Sequence, residues 1–139
     1  MVQTHYDFDS KRFIPPTSRT EEGYGSFLRS QLDEKDAVVL VAEDDGNVVG
    51  YVYGTNEGYD WMSLRGPAGA LHDIVVDPAH RGKGIGAQLL DAIVEALEKR
   101  GAPRVLLSTA YQNETAQRLF ERAGFRPTMI EMTREAEAR

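Results

Sequence analysis

Three glycines alternate with basic and aliphatic residues in the stretch Arg81–Ala87, RGKGIGA, which leads into an amphipathic run. Glycine lets an anion approach the main chain, and the N–H groups at a helix start point outward at the positive end of the helix dipole. Arg81 and Lys83 add two cations to a chain whose formal net charge is −6. The stretch therefore predicts a site for a ligand with several negative charges, such as a diphosphate.

Two other phosphate-binding loops fit this stretch less well. A Walker-type loop needs serine or threonine after its lysine, and here Gly84 follows Lys83. The dinucleotide fingerprint is formally met by Gly82, Gly84 and Ala87, but residues 77–81 separate them from the preceding strand. A plain helix entry with solvated basic residues is also disfavoured, since each glycine costs a helix roughly 0.5–1 kcal/mol relative to alanine.

The elements around the glycines are predicted to form a strand, helix, strand unit next to a hairpin. Residues 37–44 and 48–55 are β-branched and aromatic runs joined by a DDGN turn, which is typical of an antiparallel hairpin. Residues 70–76 form a third strand that Asp77-Pro78 ends. After the glycines, apolar residues spaced four apart predict a helix, and residues 104–110 are predicted to form the next strand. A right-handed crossover makes these last two strands parallel.

Both ends of the chain are less regular. Asn113 is predicted to cap a second helix that ends at Gly124. Residues 125–133 are predicted to form a last strand, and the remaining residues a solvated tail. Residues 1–20 are rich in turn formers, and a short helix is predicted from about Glu22 to Leu32.

The form R-x-x-G-x-G of Arg81–Gly86 resembles the pyrophosphate loop of the GNAT superfamily, the N-acetyltransferases that use acetyl-coenzyme A. The resemblance extends from Ala37 to Phe125 and includes the VVDP strand end and the NETAQRLFERAGF helix. It implies an α/β fold with a GNAT-like mixed, mostly antiparallel central sheet that is splayed at the cofactor site and flanked by helices. We expect one domain over residues 1–139.

The resemblance also implies where acetyl-coenzyme A binds. The pantetheine arm would lie along the main chain of the strand before the glycines, in the gap where the sheet splays, and one backbone N–H near Val76 would act as an oxyanion donor. The cofactor-binding residues so implied are Ile74, Val75, Val76, Arg81, Gly82, Lys83, Gly84, Ile85, Gly86, Ala87, Asn113 and Phe120. Ile74 and Val76 are expected in the core as well, and Asn113 fits a helix cap equally well.

An alkylammonium acceptor must lose a proton before it attacks a thioester, so a base is needed. Asp73 is predicted to be that base or to be hydrogen-bonded structurally, and strand alternation puts it on the same face as Leu71 and Val75. His72 then points to the opposite face as a structural or surface residue. The reserve carboxylates are Glu43, Glu57 and Asp60.

Phe120 occupies the position where the family commonly has a tyrosine that protonates the departing thiolate. Tyr111 is predicted as a substitute acid, with a packed or surface role as the alternative. A thiol with a pKa of about 8.5–10 also leaves as the thiolate near neutral pH.

The acceptor pocket implied by the resemblance lies between residues 24–32 and residues 56–64. Tyr59 and Trp61 are predicted to bind the substrate, because an aromatic pair beside carboxylates can hold a cationic group. The alternative is an exposed hairpin with one anchoring aromatic. The family's usual first strand is not evident, so it is missing, degenerate or supplied by a partner chain, and a homodimer is left open.

Composition excludes several classes of function. The chain has no cysteine, which excludes disulfides, thiolate metal sites and a cysteine nucleophile, and no metal site is predicted. The acidic balance argues against nucleic acid as a partner. No apolar run is long enough for a membrane span, so we expect no membrane partner and a cytoplasmic location.

The resulting hypothesis is an acetyl-coenzyme A-dependent N-acetyltransferase. Its partner would be a primary amine on a small molecule, a peptide or a protein, which attacks directly in a ternary complex. Two alternatives remain: a non-catalytic acyl-coenzyme A-binding or sensor module of the same fold, and a dinucleotide-binding protein of another fold.

Overall fold

A computed structural model describes residues 2–137. The helices are α1 (Val2–Phe8), α2 (Ser18–Gln31), α3 (Ile85–Lys99) and α4 (Glu114–Arg122), and a 3-10 helix spans Pro78–His80. The strands are β1 (Ala37–Asp44), β2 (Asn47–Glu57), β3 (Ala68–Val76) and β4 (Val105–Leu107). None of the helices in the described part of the chain has the length and apolar character that a membrane crossing requires.

Within the described residues the sheet has four strands in the order β1-β2-β3-β4. β1, β2 and β3 pair antiparallel, whereas β4 is parallel to β3. The β1–β2 turn places Asp45 and Gly46 at φ values of 51° and 79°, as a two-residue hairpin turn requires. The predicted hairpin and the mixed, mostly antiparallel sheet flanked by helices are confirmed.

Helix α3 packs on one face of the sheet and forms the centre of the core. Leu90, Ile93 and Leu97 from α3 are fully buried together with Val52 from β2. A Cβ at Gly54 would lie 3.0 Å from the Ala70 carbonyl oxygen and 3.2 Å from Leu97 Cδ1. Glycine at this position of β2 therefore lets the helix approach the sheet closely.

The register between β2 and β3 contains a β-bulge. Tyr53 pairs with Asp73 while the next residue, Gly54, pairs with Leu71, so His72 is the extra residue. A bulge interrupts the alternation of side chains between the two faces of a sheet. Leu71 packs in the α3-side core and Ile74 packs against it, although their numbers differ by three.

Three predictions about the chain ends need correction or completion. α2 begins at Ser18, capped by the Thr17 side chain, rather than near Glu22. Within residues 2–36 the structure has α1 and α2 and no strand, so the missing first strand is replaced by helix. The predicted last strand over residues 125–133 is wrong, because this segment has no ladder partner among the described residues.

The physical reason for the missing last strand is that β propensity needs a neighbouring strand to act on. The segment's apolar residues Met129, Ile130 and Met132 are 80%, 83% and 89% exposed. Phe125 at its start packs against Phe120, and farther along Glu131 accepts two hydrogen bonds from Arg12, at 2.6 and 3.0 Å. The predicted strand over residues 104–110 is likewise shortened to β4.

Candidate active site

The glycine stretch forms the entry to α3. Gly82 and Gly84 adopt φ values of 82° and 80°, in the left-handed region that favours glycine, and Gly84 is the N-cap of the helix. A Cβ at either position would meet nothing within 4 Å among the described atoms, so backbone conformation rather than crowding requires glycine there. Gly86 differs, because a Cβ there would lie 3.5 Å from Leu119 Cδ2 and 3.9 Å from Val76 Cγ2.

The first turn of α3 presents main-chain donors to the surface. Gln88 N–H donates to the Gly84 carbonyl oxygen at 3.1 Å, which closes the first turn of the helix. The N–H groups of Ile85, Gly86 and Ala87 precede that bond and so have no intrahelical acceptor. An anion seated here would receive these donors at the positive end of the helix dipole.

The two basic residues of the stretch are placed differently. Arg81 Nε donates to the Val76 carbonyl oxygen at 3.2 Å, so its guanidinium is held against the end of β3. Lys83 is exposed between the two left-handed glycines. The predicted loop residues are thus brought together at the junction of β3 and α3.

The sheet opens next to this junction. Pairing between β3 and β4 ends at Leu71 and Leu107, while β3 continues to Val76. Asp77 N–H donates to the Val49 carbonyl oxygen of β2 at 2.8 Å, so alternation turns the polar main-chain groups of Val76 and Ile74 to the other edge. The described chain places no strand beside that edge, so the predicted opening of the sheet is confirmed, while the cofactor expected there stays a prediction.

Val75 has the opposite main-chain orientation from its two neighbours. It pairs with Tyr51, and alternation turns its N–H and C=O toward β2. The N–H groups of Ile74 and Val76 therefore face the open edge, where the Val76 carbonyl oxygen already accepts from Arg81. The side chains of both residues pack against the core, as expected.

The sheet face opposite α3 carries a polar cluster centred on Asp73. Asp73 is 7% exposed, and its Oδ2 accepts a hydrogen bond from the Tyr24 hydroxyl of α2 at 2.7 Å. The Tyr51 hydroxyl of β2 donates to the same oxygen. Burial, together with the hydrogen bond to Asp73, raises the pKa of both Tyr24 and Tyr51. This carboxylate thus joins α2 to two strands of the sheet.

The bulge also redirects His72. His72 Nε2 lies 2.8 Å from Thr55 Oγ1 and 3.8 Å from Glu57 Oε1, and its ring centroid lies 5.1 Å from that of Tyr53. Tyr53 hydrogen-bonds to Gln31 of α2 at 2.6 Å, so all these groups lie on the α2 face.

Two predictions about side-chain direction are consequently wrong. Asp73 does not share a face with Leu71, which packs in the α3-side core. His72 does not point away from Asp73, since His72 contacts Tyr53 and Asp73 accepts from Tyr51, two β2 residues whose side chains lie on the α2 face. The extra residue in the bulge is the physical reason, because it lets two consecutive side chains project from the same side.

A cleft of about 260 Å³ lies beside His72, where β3 and β4 part. Its floor includes Leu106, which faces away from α3 because its neighbours Val105 and Leu107 pack against the α3-side core. The lining residues are Glu57, Arg65, Ala70, Leu71, His72, Leu106, Leu107 and Ser108. The cleft therefore opens on the α2 face at the mouth of the gap in the sheet.

The loop between β2 and β3 presents aromatic groups at this end of the molecule. Tyr59 and Trp61 stack with ring centroids 5.5 Å apart and an interplanar angle of 11°, and they are 68% and 76% exposed. The main chains of Asp60 and Arg65 form an isolated antiparallel β-bridge. Hydrogen bonds from Ser63 and Met62 lower the pKa of Asp60. Arg65 also reaches Glu57 at 3.1 Å, which links the loop to the cleft.

The remaining predicted residues lie around α4. Asn113 Oδ1 accepts from Ala116 N–H at 3.1 Å, so Asn113 caps α4. Phe120 is 6% exposed and packs edge-on against Phe125. Tyr111 precedes α4 and is 90% exposed. The structure brings none of these three into the polar cluster around Asp73 through any described contact.

Sequence reasoning missed most of the polar cluster. Tyr24 and Tyr51 were not singled out, and Glu57 was only a reserve carboxylate. A signal was present, because Tyr51, Tyr53, Thr55 and Glu57 recur at every second position of β2, opposite the core-facing Val52. Such a polar stripe indicates a strand face that is not packed by an apolar helix.

Comparison with known proteins identifies relatives. The model of the acetyltransferase (GNAT) family matches residues 3–125. The chain is 30% identical over 106 residues to the uncharacterized N-acetyltransferase YhfO of Bacillus subtilis (strain 168), covering 75% of this chain and 68% of that protein. It is 35% identical over 92 residues to the L-methionine sulfoximine/L-methionine sulfone acetyltransferase of Salmonella typhimurium, covering 65% of this chain and 51% of that protein.

The chain also matches solved structures. The aminoglycoside N-acetyltransferase AAC(6')-Iy, solved in complex with CoA, superposes with a TM-score of 0.71 at 19% identity and covers 99% of this chain and 97% of that one. At this identity the match concerns the fold. The chain spans about half the length of the Salmonella relative, so that protein's substrate is not thereby transferred to this chain.

Proposed function

The chain belongs to the GNAT acetyltransferase family, and from that membership we propose that it transfers an acetyl group from acetyl-coenzyme A to a primary amine. The observation that carries the proposal is the open edge of β3: the N–H groups of Ile74 and Val76 face this edge, and residues 77–84 connect it to the N–H groups that begin α3. An extended arm that ends in a diphosphate fits such an edge and helix start.

The residues of this chain fit acetyl-coenzyme A as follows. The N–H groups of Ile85, Gly86 and Ala87 would hold the diphosphate, with Lys83 as a further cation. The main chain of Ile74 and Val76 would hold the arm. Asn113 uses its side-chain oxygen as a cap, which leaves its amide N–H groups for a cofactor contact. The contacts expected of Val75 and Phe120 stay predictions, since both face structural partners.

The acceptor would attack directly. The amine nitrogen would form a bond to the acetyl carbon as the carbon–sulfur bond breaks, and the N–H of Val76 on the open edge would donate to the acetyl oxygen, where negative charge develops. Removal of one such donor typically costs about 10²–10³ in kcat. A covalent cysteine intermediate is excluded, because the chain has no cysteine.

The α2 face would receive the acceptor, because the cleft beside His72 opens there at the gap. The cleft is bounded by Glu57, and Arg65 links Glu57 to the loop that carries the stacked pair Tyr59 and Trp61. A carboxylate and stacked aromatic rings suit a cationic substrate. Likeness to the methionine sulfoximine enzyme favours a small amino-acid-like amine as acceptor. Tyr111 remains the predicted proton donor to the thiolate.

A ligand-binding experiment tests the cofactor half of the proposal. Acetyl-coenzyme A at a hundred times its dissociation constant should stabilise the fold by about 2.7 kcal/mol, read as a rise in Tm, whereas NAD and ATP should not. Gly84→Glu should abolish the response. Gly46→Glu is the matched control, because Gly46 has a similar φ of 79° and open space around it but lies in the β1–β2 turn.

Acetyl transfer is then measured by thiol release with three acceptors: L-methionine sulfoximine, an aminoglycoside and a peptide with an N-terminal alanine. Binding of acetyl-coenzyme A without transfer to any of them would favour the sensor module, a role to which the engaged Asp73 carboxylate and Phe120 also point. A response to NAD alone would favour a dinucleotide-binding protein and overturn the proposal.

A further inference from the structure

We propose that His72, and not Asp73, accepts the proton from the acceptor amine, and that Thr55, Glu57 and Tyr53 hold its ring in place. This inference rests on the proposed acetyl transfer and assigns a residue to its proton step. The two can fail separately, because one concerns whether acetyl is transferred and the other concerns which side chain takes the proton.

The position of His72 is the first argument. His72 directly follows Leu71, the last residue of β3 that pairs with β4. It therefore stands at the point where the gap in the sheet begins. Its side chain is 39% exposed and lines the cleft on the α2 face. An acceptor that enters the gap through this cleft would therefore pass the imidazole.

The state of Asp73 is the second argument. The Tyr24 and Tyr51 hydroxyls both donate to Oδ2 of Asp73, and the residue is 7% exposed. Two donors already occupy this oxygen, and the low exposure limits the access of an acceptor amine to the carboxyl group. Asp73 therefore serves as a positioning residue, which fixes α2 against the sheet next to His72.

The surroundings of His72 are the third argument. From β2, Thr55 Oγ1 lies 2.8 Å from Nε2, Glu57 Oε1 lies 3.8 Å away, and the Tyr53 ring covers one side. From the β2–β3 loop, Arg65 binds Glu57 at 3.1 Å and shares its charge. Burial, and then the charges of Glu57 and of Glu34 after α2, raise the pKa of Tyr53. Asp73 follows His72 directly in the chain. The carboxylate Glu57 would stabilise the imidazolium that forms.

The proton balance of the step is complete. The ammonium gives one proton to a neutral imidazole nitrogen of His72, and the freed electron pair forms the bond from nitrogen to the acetyl carbon. The carbon–sulfur bond then breaks, and its electron pair leaves on sulfur. The second proton lost from nitrogen passes to the thiolate, directly or through the predicted donor Tyr111, and gives the free thiol, while His72 returns its proton to solvent. Free imidazole titrates near pH 6.5, which suits a base that works near neutral pH.

His72→Asn tests the inference, because asparagine keeps a hydrogen bond to Thr55 but cannot take a proton near neutral pH. With L-methionine sulfoximine as acceptor, we expect kcat to fall by about 10²–10⁴ while the Tm rise with acetyl-coenzyme A is unchanged. The acid limb of the kcat/KM profile in the imidazole range should disappear. His80→Asn is the matched control and should keep that limb, since His80 lies in the 3-10 helix.

Two results would overturn the inference. One is a His72→Asn variant that keeps kcat within about threefold and retains the acid limb, given the 10²–10⁴ expected of a lost base. The other is loss of the acid limb in Asp73→Asn but not in His72→Asn. A weakly basic amine, which arrives already deprotonated, should restore much of the rate of His72→Asn, and failure of this rescue would indicate a structural role.

A measurement without turnover separates the inference from the proposed function. If the wild type transfers no acetyl group, acetyl transfer itself fails, and the ring signals of the three histidines are followed by NMR instead. We expect the His72 signal to shift when acetyl-coenzyme A is added, with His5 as the remote control. A His72 signal that does not move on this addition contradicts the assignment.

Discussion

The two faces of the sheet carry different kinds of side chain, apolar on the α3 face and polar or aromatic on the α2 face. On one face, α3 contributes Leu89, Leu90, Ile93 and Leu97 to the buried core. On the other face, α2 contributes no buried residue within the described part of the chain and is joined to the sheet through Tyr24, Phe27 and Gln31. Apolar burial supplies most of the stability of a domain, whereas a half-exposed polar face can receive a substrate and exchange protons. The fold thus places the apolar core on one face of the sheet and the polar cluster on the other.

The largest effect is expected on the α3 face. Leu90→Ala should lower the free energy of unfolding by about 2–5 kcal/mol, because it leaves a cavity next to fully buried neighbours. Urea unfolding measures the loss. Val41→Ala is the control, since Val41 is 53% exposed on the same sheet and should change stability by less than about 0.5 kcal/mol. An equal loss of unfolding free energy in both variants would contradict the expectation that the α3 face supplies most of the stability.

A smaller effect is expected from the polar cluster. Asp73→Ala removes the shared acceptor of two phenol hydroxyls, and an unpaired buried donor costs about 1–3 kcal/mol. Urea unfolding again measures the change, and the combined variant Asp73→Ala with Tyr24→Phe and Tyr51→Phe should recover part of it. No loss of stability in Asp73→Ala would mean that the cluster does not fix α2 to the sheet.

The smallest effect concerns alkaline pH. Burial and the hydrogen bond to Asp73 raise the pKa of Tyr24 and Tyr51 above the unfolded value of about 10, so the folded chain keeps protons that the unfolded chain releases. The contribution is complete below pH 10 and is lost as pH rises above it. Unfolding free energy measured in this range should fall less steeply in Tyr51→Phe than in wild type. An unchanged slope would show that Tyr51 titrates normally.

Local signals predicted the α3 side of the molecule well. Apolar residues four apart defined α3, the DDGN turn defined the hairpin, and Asn113 and Gly124 marked the ends of α4, as the structure has them. The glycine stretch also predicted the form of the loop, because left-handed conformations at Gly82 and Gly84 are a property of the residues themselves. Its ligand remains a proposal.

The α2 side could not be predicted in the same way. The faces of His72 and Asp73 depend on a bulge, which arises from the register between β2 and β3 and leaves no mark in β3 alone. Tyr24 donates a hydrogen bond to Asp73, which lies 49 positions later in the chain. The prediction of a strand over residues 125–133 is wrong for a related reason, because a strand forms only where another strand lies beside it to pair with.

By itself, the sequence determined the hairpin, the amphipathic α3, the crossover to β4 and the glycine entry that carries the family resemblance. Each of these follows from residues within one turn or one helix length of each other, where steric preference and periodicity act directly. Only the tertiary structure decided which side chains share the cleft, because pairing between distant segments sets the face that each residue of β3 presents. That decision placed His72 at the gap and enclosed Asp73 between two tyrosines.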